Sequence, residues 1–171
     1  MLLEKPWVNP NRHDFSGNTP LSFAARSGHG QVVEILLERR EVYADKPDND
    51  GKTPLSYAAS GGHEEVVKIL LGRKDVNPNK PDKDGRTPLM CAASRGHARV
   101  VKLLLGRDEV NPNKPDNNGQ TPLMIATSLG FKELIPLLLS RRSEPPPQPG
   151  SMSHQLIETT TISSSSSNVA H

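Results

Sequence analysis

The sequence predicts an all-α solenoid, a row of helix-turn-helix units that pack on one another instead of around one centre. Three observations carry this. The stretches TPLSFAARSGH, TPLSYAASGGH, TPLMCAASRGH and TPLMIATSLGF begin at Thr19, Thr53, Thr87 and Thr121, each 34 residues after the last. Each copy opens on Thr-Pro, a helix N-cap followed by the residue that loses nothing by lacking an N–H in the first turn. The 171 residues are only 33% hydrophobic and 4% aromatic, thin for one globular core but enough where each unit buries its apolar face on its neighbours.

The elements follow in chain order. LLEKPWVNPN at Leu2 echoes LLGRKDVNPN at Leu70, so residues 1–13 read as the end of a second helix and its loop, the remnant of a preceding unit. The expectation is a fragment of a longer array, or an N-terminal face covered by neighbouring repeats, a domain or another protein, since such arrays need capped ends. Trp7 would serve there as a hydrophobic lid or a partner anchor.

Four units follow, at about 14–47, 48–81, 82–115 and 116–142. In the third, Asp84-Gly85 is a tight turn, Thr87 the N-cap and Pro88 the first helical residue. Leu89, Ala92 and Ala93 form the buried side of a short first helix, the alanines implying close helix approach. Gly96-His97 ends it, and Val100, Val101, Leu103, Leu104 and Leu105 give a second helix a wide apolar stripe.

Bases recur where the second helices end: Arg39 and Arg40, Arg73 and Lys74, Arg107, Arg141 and Arg142. They are expected to complement the helix dipole in the last turn, or, as a stacked row, to hold an acidic partner. The loops VNPNRHD, VYADKPD and VNPNKPD, twice, are proline-stiffened and predict extended connectors. In the last unit Phe131, Thr127 and Pro136 replace repeated residues, as where stacking stops. Residues 143–171, with a triple proline and five consecutive serines, predict a disordered tail.

DNDGKTPLSYAASGGHEEVVKILL at Asp48 and DKDGRTPLMCAASRGHARVVKLLL at Asp82 closely resemble ankyrin repeats, over roughly residues 2 to 142. The histidine that usually follows TPL is here Ser22, Ser56, Met90 and Met124. In style the array is similar to fungal ankyrin regions at the C-terminal end of NACHT-containing, NLR-like proteins. The resemblance implies a right-handed stack with projecting turns, whose members bind proteins through the turn tips and the concave first-helix surface. The NLR-like likeness implies a piece of a signalling protein that senses a ligand or holds a neighbouring domain inactive.

Catalysis finds no footing. In HEEVV the second zinc histidine would fall on Val67, and His29, His63 and His97 recur at inter-helix turns, too far apart to share a metal. Cys91 shares its register with Phe23, Tyr57 and Ile125, which predicts a packed core thiol. No phosphate loop occurs, so neither cofactor nor small-molecule substrate is implied. The net charge of +2 and the acidic turn residues Asp48, Asp50, Asp82 and Asp84 argue against nucleic acid. No apolar run reaches membrane length, and the single cysteine suits a reducing compartment, the cytoplasm or the nucleus.

Positions that vary between repeated units are free for contact. At the tips these are Asn18, Asp50, Lys52, Asp84, Arg86 and Gln120; on the first helices they are Arg26, Ser60, Ser94, Arg95 and Leu129. Arg26, Lys52, Arg86 and Arg95 would form a discontinuous basic strip suited to a protein partner's carboxylates.

Overall fold

The computed structural model describes residues 9–140. Trp7 and most of the N-terminal remnant, Arg141, Arg142 and the tail lie outside them. The described residues form eight helices: α1 (Pro20–Arg26), α2 (Gly30–Leu37), α3 (Pro54–Gly61), α4 (Glu64–Leu71), α5 (Pro88–Ala93), α6 (Ala98–Leu105), α7 (Pro122–Ser128) and α8 (Leu134–Ser140). None is long and apolar enough to cross a membrane.

Helices of six to eight residues fall well below the ~12–15 at which isolated helices become even marginal, so stacking must hold them. The stacking has two layers. α1, α3, α5 and α7 contact one another in order, as do α2, α4, α6 and α8, and each first helix packs on its own second helix. Between the layers lie Leu21, Leu55 and Leu89 from the first helices and Val67, Leu70, Val101 and Leu104 from the second. Each such side chain contributes ~1.5–3 kcal/mol by leaving water. Ala58, Ala59, Ala92 and Ala93 are fully buried where first helices meet, as their small size requires.

All four first helices start as the Thr-Pro pair predicts. Thr19, Thr53, Thr87 and Thr121 each accept the backbone N–H three residues on. Where the usual histidine is missing, Ser22 and Ser56 bond the cap hydroxyls at 3.1 and 3.0 Å; at Met90 and Met124 the backbone bond to the threonine remains.

The tips are closed by one carboxylate each. Asp48 Oδ1 accepts the N–H groups of Asp50 and Lys52, both at 2.9 Å, and Asp82 Oδ1 those of Asp84 and Arg86 at 3.0 and 2.9 Å. Successive tips are then laced together, the Asn49 N–H donating to the Ser16 carbonyl, Lys83 to Asp50 and Asn117 to Asp84.

Two expectations change. Helices α2, α4 and α6 end two residues before Arg39, Arg73 and Arg107, so these bases lie past the last turn. They pair instead with an acid two residues on: Arg39 with Glu41 at 2.5 Å, Arg73 with Asp75 at 2.9 Å and Arg107 with Glu109 at 3.2 Å. Arg73 also donates to the Leu37 carbonyl of the preceding unit at 3.2 Å, and its hydrogen bond holds the Asp75 carboxyl below its usual range. Among the second helices, the bases actually in last turns are Lys68 and Lys102.

The proline loops are more than stiff connectors. The second asparagine of VNPN clips two units together, as Asn79 does by accepting the Asn111 N–H and donating to the Glu109 carbonyl.

The stack is uneven at the first unit. Val32 is 45% exposed, whereas Val66 and Val100 in the same register are 0% and 1% exposed. In α8 the helix begins at Leu134, which places Pro136 in the first turn, where its missing N–H breaks no helical bond.

Candidate partner-binding site

The candidate residues separate into two groups. Arg26, Lys52, Ser60 and Arg95 meet at one cleft of about 420 Å³, completed by Ser56, Tyr57, Gly61 and Cys91. Its walls come from three successive units: the end of α1, the tip before α3 with α3 itself, and α5. Ser94, Asp50, Asp84, Arg86, Gln120 and Leu129 stand outside its lining, Ser94 half-buried and the others exposed.

Asn18 is a correction. It is only 7% exposed, its amide donating to the Asp14 carboxylate and its oxygen accepting from Arg26 at 3.4 Å. It is therefore a support for Arg26, and its variation between units reflects that local task. Asp48 and Asp82 are corrected too, since both are 8% exposed and turned into their own tips. Of the acids counted at the second and third tips, only Asp50 and Asp84 face outward.

Tyr57 organises the cleft, and sequence reading passed it over. The Arg26 guanidinium lies 4.0 Å from the ring centroid, a contact worth ~0.5–1 kcal/mol at exposed sites. On its other end the phenol O–H donates to Asp48 Oδ2. Burial and this carboxylate push the Tyr57 hydroxyl up to about 12. The available signal was paired: unit one alone carries arginine where the others have serine, and unit two alone carries a hydroxyl-bearing ring.

Cys91 packs against the core as its register predicts, and it also lines the cleft. The register is mixed: Phe23 is exposed, Tyr57 and Cys91 are half-buried and Ile125 is buried. Burial pushes its thiol up to about 11, with the charges of Arg86, Lys52 and Arg95 acting in the opposite sense. At neutral pH it is a protonated, weakly polar floor, the wrong state for a nucleophile.

The histidines are inter-unit ties. His63 Nε2 donates to the Arg26 carbonyl at 2.9 Å and His97 Nε2 to that of Ser60 at 3.0 Å. Each ring lies so close over the preceding unit's glycine that a Cβ at Gly28 or Gly62 would come within 2.5 or 2.8 Å of it. Phe131 covers Gly96 in the same way, keeping the packing without the hydrogen bond.

A larger hollow of about 880 Å³ beside the first tip is bordered by Arg12, His13, Phe15, Phe23 and Asn49. It is flanked by two exposed rings, Phe15 and Phe23, and carries fewer aligned cations than the cleft.

Short stacked helix pairs, laced tips and a polar cleft across several units define a helical repeat scaffold. The family described as ankyrin repeats (3 copies) matches residues 1–82 and 74–148, and the chain belongs to it. Ankyrin repeats are generally protein–protein interaction modules and are typically non-catalytic. The match concerns the repeats and carries no likeness to NACHT or NLR-like proteins. Among curated proteins, none matches the chain.

Proposed function

We propose that the chain binds a protein partner through its turn tips and its first-helix face, the surface that is concave in ankyrin arrays. One observation carries this reading: side chains from three successive units converge on one cleft on the first-helix side. The second helices α4 and α6, by contrast, keep Val66, Val67, Leu70, Val100, Val101 and Leu104 inside the stack. Recognition by such a prepared surface costs little ordering, so a few anchors suffice for affinity. A reducing compartment, the cytoplasm or nucleus, suits the protonated thiol on the cleft floor.

A second reading is favoured by the exposure of Phe23, Val32, Ile35 and Tyr43 on the first unit. Here a neighbouring repeat or domain packs on that unit, and the array senses a ligand or restrains that domain. Charge reversal in the cleft separates the two readings, because it leaves these apolar residues intact.

The test is affinity capture from cell extract with the full chain. A variant with Arg26, Lys52, Arg86 and Arg95 all changed to Glu is compared with a control carrying Lys68→Glu and Lys102→Glu on the second helices. Helicity of all three is matched first. Proteins kept by the parent and control but lost by the cleft variant support the first reading. Loss from the control alone would contradict it.

A further inference from the structure

We infer that the cleft around Tyr57 and Cys91 takes a carboxylate-bearing partner segment, an extended acidic peptide. This rests on the protein-binding reading and narrows it. Arg26, Lys52 and Arg95 line the cleft and no acidic residue does. Arg86 stands near enough for its charge to act on the Cys91 thiol. Three cations from three units therefore line one opening, with Arg86 nearby.

No ion pair recorded among the described residues uses these cations. The pairs include Arg39–Glu41, Arg73–Asp75, Lys80–Asp45, Arg99–Glu64 and Arg107–Glu109. The nearby acids are occupied. Asp48 accepts two backbone N–H groups and the Tyr57 hydroxyl, and Asp82 accepts two backbone N–H groups.

Arg26 is also held in place, its guanidinium over the Tyr57 ring and its Nη2 tied to Asn18, while the residue stays exposed. A guanidinium fixed before contact loses less freedom on pairing with a carboxylate, and its fork matches two carboxylate oxygens. Between the cations the neutral floor of Ser56, Tyr57, Ser60 and Cys91 accommodates small side chains.

The chemistry favours peptide over nucleic acid. A phosphate backbone running along the tips would meet the outward carboxylates of Asp50 and Asp84, whereas a short segment crossing the first helices avoids them. Helices pack ~8–10 Å apart and an extended chain advances ~3.3 Å per residue, so about six residues reach from α1 to α5.

The experiment is fluorescence anisotropy of the full chain with a labelled peptide of alternating Glu and Ala, its Gln-for-Glu counterpart, and oligo(dT) of similar length. The Glu peptide is expected to bind about tenfold or more tighter than the Gln peptide, and Arg26→Gln and Arg95→Gln each to weaken it severalfold. Lys68→Gln with Lys102→Gln leaves it unchanged. Circular dichroism verifies that the variants fold. Equal binding of Glu and Gln peptides, equal loss in the lysine pair, or tighter binding of oligo(dT) overturns the inference. If the Glu peptide fails while captured proteins still depend on the cleft, only the acidic class is wrong. If capture is also indifferent to the cleft, the wider reading falls with it.

Discussion

Asn79 holds Asn111 across the boundary between two units, its side-chain oxygen accepting the Asn111 N–H at 2.8 Å. Asn11 does the same for Tyr43 at 2.9 Å and donates to the Glu41 carbonyl at 2.6 Å. In the first unit the position is Asp45, which has no amide to donate. Its Oδ1 is buried without a hydrogen-bond partner, while Oδ2 pairs with Lys80 at 3.0 Å.

Asp45→Asn should therefore stabilise the array. The new amide supplies the missing donor, and Lys80 keeps its bond to the residue 45 carbonyl, as Lys114 keeps that of Asn79. The expected gain is ~1 kcal/mol, or ~2–4 °C in Tm. Burial pushes the Asp45 carboxyl up, so this group's contribution to stability is full at acid pH, where it is protonated, and is lost as pH rises through the raised value. The variant's advantage should be small in acid and full at neutral pH, which thermal melts at both will measure.

Gly62→Ala and Gly130→Ala separate backbone strain from inter-unit packing. Both glycines have positive φ, 72° and 77°, and share a cost of ~1 kcal/mol. A Cβ at Gly62 would stand 2.8 Å from His97 Nδ1, whereas at Gly130 nothing lies within 4 Å. Gly62→Ala should lose ~1 kcal/mol more in urea unfolding, since it also displaces the His97 bond to Ser60. Adding His97→Ala should recover part of that excess.

Asp82→Ala should cost ~2–4 kcal/mol, because it leaves two N–H groups in the tip without acceptors. Asp84→Ala, two residues away and exposed, should stay within ~0.5 kcal/mol. Equal effects in denaturant titrations would refute the division of tip acids into inward and outward sets.

Tyr57 gives the alkaline counterpart. Its folded value of about 12 lies above the ordinary 10, so the native state holds a proton that the unfolded chain gives up. Stability from this group is complete below about pH 10 and declines as pH rises toward 12. Tyr57→Phe should flatten the pH dependence of Tm in that range and release Asp48 from its hydroxyl partner.

Much of this architecture was legible because its causes are local and repeated. Thr-Pro at each first-helix start and Gly at each tip act through their own backbones, so they read directly from the sequence. The basic residues misled because α4 and α6 end at the C-cap glycines Gly72 and Gly106, which leaves Arg73 and Arg107 beyond them. The cleft was half legible. Variable positions named Arg26, Lys52, Ser60 and Arg95, but Tyr57 and Cys91 were read as packing residues because their register holds apolar side chains. That Asn18 faces inward depends on Asp14 and Arg26 meeting it, a contact that spacing alone does not reveal.

The most direct measurement is hydrogen–deuterium exchange of the full chain with and without a captured partner. Protection is expected to concentrate in residues 52–61 and 91–95, with α4 and α6 unchanged. Protection confined to α4 and α6, with that first-helix surface unaffected, would contradict it.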